Sequence, residues 1–411
     1  MKLDPIITSL LETDQYKINM QQVVLHQFNK DVVKWCFKCR NADVKFTPEM
    51  ISEIKEQIAH FCTLRFTDEE RDWLKKTLPW LTQDYIEFLK YWHPDPSEIF
   101  VNDMFNHVYN GCGLTIEARG PWLSTMMYEI PILAIANEVY FAFKYGVGAK
   151  ESEFIEKTVE KIAKLTSGEL DIGIFSEFGL RRRYSKKMQD YLIKYLADKK
   201  AEGKLPGFVG TSNLFLAKKY NVKPVGTMAH EMFLGLEGHH EYNPAYVNML
   251  VMKAWVKEFQ TDNGTILTDA ITTDCFLRDF NKTYATLFSG ARHDSGDPIE
   301  WGEKMIAHYK SLGIDPTTKL LLFSDSLNFE KAAKIKAHFN GKCKVAFGIG
   351  TFLSNPLNDP LNIVMKTTEC NGAPVAKLSD VEGKGMCNNE EFIAYLRRAI
   401  EWRLKFDTVN T

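Results

Sequence analysis

Lys319-Leu-Leu-Leu-Phe-Ser-Asp325 decides the architecture. Three leucines and a phenylalanine follow one another without alternation, then stop at a serine and an aspartate. A short apolar run of this kind fits a strand buried on both faces, as in a parallel sheet covered by helices. Gly207-Phe-Val-Gly210, Thr265-Ile-Leu-Thr268 and Cys343-Lys-Val-Ala-Phe347 have the same character, and helical segments follow most of these runs. Strands alternating with helices predict parallel βα units. Several such units over residues 166–364 predict an irregular, incomplete α/β barrel. Ligands of such barrels sit at the carboxyl ends of the strands, so the polar tails of these runs are where chemistry is expected.

The flanking chain reads differently. Residues 1–165 are expected to form an α+β domain, completed by the C-terminal segment from about 365 to 411. Lys34-Trp-Cys-Phe-Lys-Cys-Arg40 reads as a strand, and Met50 to Cys62 as a helix by its apolar spacing. Thr67-Asp-Glu-Glu70 places a capping hydroxyl before acids and opens another helix. Leu114-Thr-Ile-Glu-Ala118 alternates like a half-buried strand. Gly120-Pro121 reads as a turn, and Trp122 to Tyr128 as the second strand of a hairpin. Asn371-Gly372, between Ile363-Val-Met365 and Pro374-Val-Ala-Lys377, is a hairpin signal.

The 411 residues carry a formal net charge of -2, with 45% hydrophobic and 25% charged residues. That balance argues against a nucleic-acid-coating surface, so an anionic ligand needs a local positive pocket. No apolar run is long enough to span a membrane, and a cytoplasmic location is the expectation. The 8 cysteines lack regular spacing. Cys36 and Cys39 fall on opposite faces of a strand, which favours buried thiols over a zinc or redox site.

The strand tails form a distinctive set: Gly210-Thr-Ser-Asn213, Gly226-Thr-Met-Ala-His230, Thr268-Asp269, Ala291-Arg-His-Asp-Ser-Gly-Asp297, Ser324-Asp325 and Gly348-Ile-Gly-Thr351. Glycines and hydroxyl residues let backbone N–H groups approach phosphate oxygens. Interspersed acids suit magnesium or a ribose diol. A phosphorylated sugar carrying pyrophosphate and magnesium satisfies both. Arg292 can grip a carboxylate or phosphate with two parallel hydrogen bonds. His230-Glu231 begins like a zinc-binding HExxH helix, but Leu234 stands at the second histidine position, and a nucleophilic histidine among phosphate-binding groups is the better reading. Arg181-Arg-Arg-Tyr-Ser-Lys-Lys187 reads first as a solvated helix start, although Phe178 before it offers a platform for a flat ring.

Taken together, Thr13-Asp-Gln-Tyr-Lys17, Phe178-Gly-Leu-Arg-Arg-Arg183, Gly210-Thr-Ser-Asn213, Gly226-Thr-Met-Ala-His-Glu231, Arg292-His-Asp-Ser-Gly-Asp-Pro298, Phe323-Ser-Asp325, Phe347-Gly-Ile-Gly-Thr351, Glu369-Cys-Asn-Gly372 and Ala376-Lys-Leu-Ser-Asp380 resemble nicotinate phosphoribosyltransferases of the bacterial and fungal type. The resemblance implies the type II phosphoribosyltransferase fold. It implies transfer of phosphoribosyl from phosphoribosyl pyrophosphate to nicotinate, a salvage step towards NAD. It also implies magnesium as cofactor and ATP as co-substrate, hydrolysed through phosphorylation of His230. By the same resemblance Phe178 and Tyr16 sandwich the pyridine, with Tyr16 supplied across the interface in related dimers; monomer and homodimer both stay open for this chain. Arg181 and Arg292 face the carboxylate or the sugar phosphate, and Thr211 and Ser212 line the base site. Gly348, Gly350 and Thr351 cradle phosphate, and Asp294 and Asp325 hold magnesium or ribose hydroxyls. Asp269 orients the imidazole, making His230, Asp269 and Asp294 the expected catalytic set. Three rivals remain at this point: transfer to nicotinamide, a barrel glycoside hydrolase with paired carboxylates, and a non-catalytic nucleotide sensor. Ser212 disfavours the first, since an acid there would accept an amide N–H.

Overall fold

The structure is a computed structural model that describes residues 1–102, 112–357, 360–378, 387 and 389–406. Ser379 and Asp380, the end of one segment quoted above, lie outside the described residues. Its strands are β1 (Val32–Cys39), β2 (Ile99–Val101), β3 (Ile116–Pro121), β4 (Ile174–Glu177), β5 (Phe208–Thr211), β6 (Lys223–Pro224), β7 (Thr265–Leu267), β8 (Gly290–His293), β9 (Leu320–Phe323), β10 (Lys344–Ile349), β11 (Ile363–Cys370) and β12 (Ala373–Pro374). They form two sheets, one of five strands in the order β12-β11-β1-β3-β2 and one of seven in the order β6-β5-β4-β10-β9-β8-β7.

The seven-stranded sheet is parallel throughout. Its order is cyclic in sequence except at one place. The last strand, β10, pairs with the first, β4, while β6 and β7 do not pair. The sheet is therefore a curled half-barrel, as expected from the run at 319–323, with its opening where residues 225–264 cross. His230 is carried on that crossing segment. The strands are less symmetric than a run buried on both faces predicts. Leu321 and Phe323 are fully buried, whereas Leu320 and Leu322 are only half-buried. The latter pair turns inward and lines a cavity, so the barrel interior is hollow here.

The five-stranded sheet is antiparallel, and β11 brings the C-terminal part of the chain against β1. Asn371 and Gly372 both have positive φ (52° and 77°) at the β11–β12 turn, the conformation an Asn-Gly hairpin requires. The helix Pro48–Thr63 spans the predicted one, and Thr67 and Glu70 form a reciprocal capping box on the helix Asp68–Thr77. Cys36 and Cys39 are free and buried.

Two expectations fail. Gly120-Pro121 is no turn; both residues pair with β1, at Val33 and Val32. Trp122 to Tyr128 is no strand, because Trp122–Thr125 is helical and leads into the helix Glu129–Tyr145. A tertiary contact overrides the local preference. The Trp122 indole donates to Glu231 Oε1 at 2.8 Å and lies so close to Gly235 that a Cβ there would meet it at 2.3 Å.

Candidate active site

A cavity of 970 Å³ opens at the carboxyl ends of the barrel strands and reaches the cleft beside the antiparallel sheet. Residues from nearly every strand tail face it. Phe178 and Arg181 follow β4, Ser212 follows β5, and His230 lies beyond β6. Arg292 and Asp294 belong to the β8 end, Asp325 follows β9, and Gly350 and Thr351 follow β10. Arg292 sits on strand β8 itself, shortly after the helix Lys282–Leu287 ends.

His230 is buried and caps the short helix Glu231–Glu237. Its Nε2 is 2.8 Å from Asp269 Oδ1, and its Nδ1 is 3.7 Å from Asp294 Oδ2. Asp269 Oδ2 accepts from Ser295 Oγ at 2.6 Å and from Lys377 Nζ at 2.8 Å. Both oxygens of Asp269 are thus committed, and the carboxylate fixes which ring nitrogen points outward. Burial, and next the Lys377 ammonium, hold the imidazole below its ordinary pKa. At neutral pH the ring is therefore uncharged, with a lone pair on one nitrogen. Asp294 accepts from Ser324 Oγ at 2.9 Å.

His230, Asp269 and Asp294 offer ligand atoms within 4.8 Å of one another. The saturated Asp269 and the imidazole make this trio a poor seat for magnesium. Asp294 and Asp325, half-buried carboxylates facing the cavity, match that hard cation's preference for oxygen.

Much of the remaining lining is cationic. Arg40, Arg181, Arg182 and Lys366 all belong to it. Burial, then the neighbouring Arg181, push Arg182 down to about 9, and burial pushes Lys366 down to about 8. Arg292 donates from Nη1 to the Met228 carbonyl at 3.0 Å, and its buried Nε has no hydrogen-bond partner. An anion would satisfy all of these groups. Beneath them Lys17, wholly buried, bridges Glu129 (2.8 Å) and Glu231 (2.6 Å). Against the burial that would raise it, Lys17, Lys366 and Arg181 hold Glu129 at about 2.

Tyr16 and Phe178 line the same cavity, both from one chain. Asp14 forms an antiparallel bridge with Asn213 and accepts from Ser212 Oγ at 2.6 Å, which docks the Tyr16 helix at the end of β5. Two expected ligand residues stand elsewhere. Thr211 is fully buried and gives its hydroxyl to Glu177 Oε2 at 2.6 Å. Gly348 is still within β10, and the Phe178 ring lies over it: a Cβ there would meet Cδ2 at 2.4 Å. The basic run at 181–187 divides as well. Arg181 and Arg182 face the cavity, whereas Arg183 is fully buried and reaches Glu12 at 2.9 Å.

Lys377, Lys366, Glu129 and Lys17 were not assigned roles from sequence. Lys17 and Lys377 stand inside matched segments, which was their only signal.

Glu177 carries a pH prediction. Burial pushes it from 4.5 up to about 7, although Thr211, Gly179 and Gln189 donate to it. A carboxyl whose folded pKa exceeds its unfolded one stabilises fully below the unfolded value and loses that contribution as pH rises through the folded value. Between pH 5 and pH 8 the thermal midpoint of the wild-type chain should fall by several degrees more than that of Glu177→Gln. Parallel curves for the two proteins would refute a neutral Glu177.

Residues 174–403 match the nicotinate phosphoribosyltransferase (NAPRTase) family, and residues 11–137 match that family's N-terminal domain. The nicotinate phosphoribosyltransferase of Burkholderia mallei is 42% identical over 404 residues, covering 96% of each chain. The crystal structure of nicotinate phosphoribosyltransferase from Vibrio cholerae superposes with a TM-score of 0.88 at 36% identity, covering 96% of this chain and 94% of that one. A putative nicotinate phosphoribosyltransferase from Saccharomyces cerevisiae also gives 0.88, at 32% identity and 98% coverage of this chain. A half-barrel with a histidine across its opening, a cation-lined cavity and likeness along nearly the whole length place this chain in the nicotinate phosphoribosyltransferase family.

Proposed function

We propose that this chain transfers the phosphoribosyl group of phosphoribosyl pyrophosphate to nicotinate, with ATP consumed through His230. The carrying observation is a neutral, acid-oriented imidazole in a cavity that Arg181, Arg182 and Lys366 also line. Phe178 and Tyr16 supply aromatic faces for the pyridine, and Arg181 and Arg292 the charge for its carboxylate and the sugar phosphate. The pyridine nitrogen is already a nucleophile. It forms its bond to the sugar carbon as pyrophosphate leaves with the electron pair, so catalysis rests on position and on the charge facing the leaving group. Asp294 and Asp325 would hold magnesium, which when bound neutralises pyrophosphate charge.

The imidazole geometry supports one ring nitrogen as the atom that would react with ATP. Nε2 is held by Asp269, so Nδ1 attacks the terminal phosphorus; an N–P bond forms, the P–O bond breaks and ADP leaves. Water later cleaves the N–P bond and releases phosphate. Before that cleavage, the phosphoryl charge on Nδ1 lies beside Asp294 and would strengthen the carboxylate set that could hold magnesium.

Product analysis tests this reading. The chain incubated with nicotinate and phosphoribosyl pyrophosphate should form nicotinate mononucleotide, faster with ATP and with one ADP per product. Equimolar nicotinamide belongs in the same tube, because Asp14 at 2.6 Å from Ser212 brings a carboxylate into the base site that position 212 itself lacks. Preferential use of nicotinamide, or no transfer to either base, would overturn the assignment.

A further inference from the structure

A second cavity, of 640 Å³, lies behind the turn that follows β10. Thr351, Phe352, Ser326, Leu327 and Pro360 wall both it and the main cavity, whereas the lysine face and the Asn355 end of its lining are its own. Lys157, Lys161 and Lys164 enter it from one face of the helix Glu151–Thr166, as spacings of four and three residues require. Lys157 is paired with Glu153 and Lys164 with Glu330, each at 2.9 Å. Lys161 differs. Its ammonium donates to the Phe352 carbonyl at 2.9 Å and lies 3.9 Å above the centre of the Phe352 ring. Burial, then Lys157, push it down to about 8.

Asn355 supplies the second, independent observation. It is 2% exposed and lines this cavity, and neither its Nδ2 nor its Oδ1 has a hydrogen-bond partner. Leaving an amide donor and acceptor both unmade costs on the order of 1–3 kcal/mol for each group. Native chains seldom keep such a pair without use. A carboxamide presents one donor and one acceptor side by side, the pattern that pairs with the edge of an adenine ring. Leu357 and Pro356 add apolar surface beside it. The volume suits a drug-sized ligand.

The geometry points to a nucleotide-binding site in this second cavity, with the base edge on Asn355 and a phosphate on Lys161. The assignment does not depend on the transfer reaction or on His230. An occupant would press on Thr351 and Phe352, two of the residues that also wall the main cavity, so it is placed to act as an effector.

Calorimetric titration of the full chain with adenosine 5′-monophosphate tests the site. The wild type should show two classes of binding per chain. Lys161→Met and Asn355→Leu should each weaken one class at least tenfold and leave the other intact, while Arg292→Ala should weaken the other class. Asn355→Leu removes a buried unsatisfied amide, so its thermal midpoint should hold or rise, which separates lost binding from lost folding. Inorganic phosphate serves as the comparator. If phosphate alone binds the Lys161 class as tightly as the nucleotide, the base is not recognised and the assignment is wrong. Isotherms unchanged in both variants would overturn it equally.

Discussion

His230→Ala should stop ADP release and remove the ATP stimulation of transfer, lowering the rate with ATP about 100-fold, or roughly 2.7 kcal/mol of barrier. Transfer without ATP should stay within a few-fold of wild type, because the cations at Arg181, Arg292 and Lys366 remain in place. The reason is the division of labour within the cavity. The ion-pair partners of the imidazole are Asp269 and Asp294. Asp269→Asn should give an intermediate loss. An amide in place of the carboxylate no longer stabilises the Nε2–H tautomer, so Nδ1 is less often the free nucleophile. Acid-labile phosphate on the protein after incubation with labelled ATP should be present in the wild type, reduced in Asp269→Asn and absent in His230→Ala. One ADP per mononucleotide from His230→Ala would remove this histidine from ATP coupling.

The barrel was legible because its strands announce themselves locally. The runs at 208–211, 265–267 and 320–323 are short, apolar and end in polar residues, and each became a parallel strand. Arg292, Asp294 and Asp325 stood at the ends of such runs and share one cavity for that reason, and His230 joins them from the segment that crosses the opening. What the sequence hid depends on pairings between distant segments. Lys366 lies on β11, whose register with β1 joins residues more than 300 positions apart. Lys377 reaches Asp269 from beyond the same sheet. No local pattern marks either. Trp122 was misread for a related reason, since its helix is fixed by Glu231 and by the space above Gly235. Glycine at 348 misled in another way. A glycine after a strand signals close approach, but not of what: here the neighbour is the ring of Phe178.

That neighbour makes the second large effect specific. Gly348→Ala would set a Cβ 2.4 Å from Phe178 Cδ2 and 2.5 Å from Cε2, inside contact distance. The strand backbone at 348 does not have positive φ, so alanine brings no backbone strain of its own. The Phe178 main chain is anchored by its N–H to the Ile349 carbonyl at 2.9 Å, so the ring must swing to another rotamer, into the cavity or away from it. An aromatic contact contributes about 0.5–1.5 kcal/mol beyond its buried area, and the displaced ring also obstructs the base. The KM for nicotinate should therefore rise at least tenfold, with the KM for phosphoribosyl pyrophosphate little changed. Phe178→Leu should produce a similar loss, and adding Gly348→Ala to it should cost little more, because the clashing ring is already gone. A phosphate-cradling Gly348 predicts the opposite pattern: the pyrophosphate substrate would suffer, and the loss would persist when Phe178 is leucine. Steady-state constants for both substrates across the four proteins decide between a glycine that makes room for an aromatic platform and one that holds phosphate.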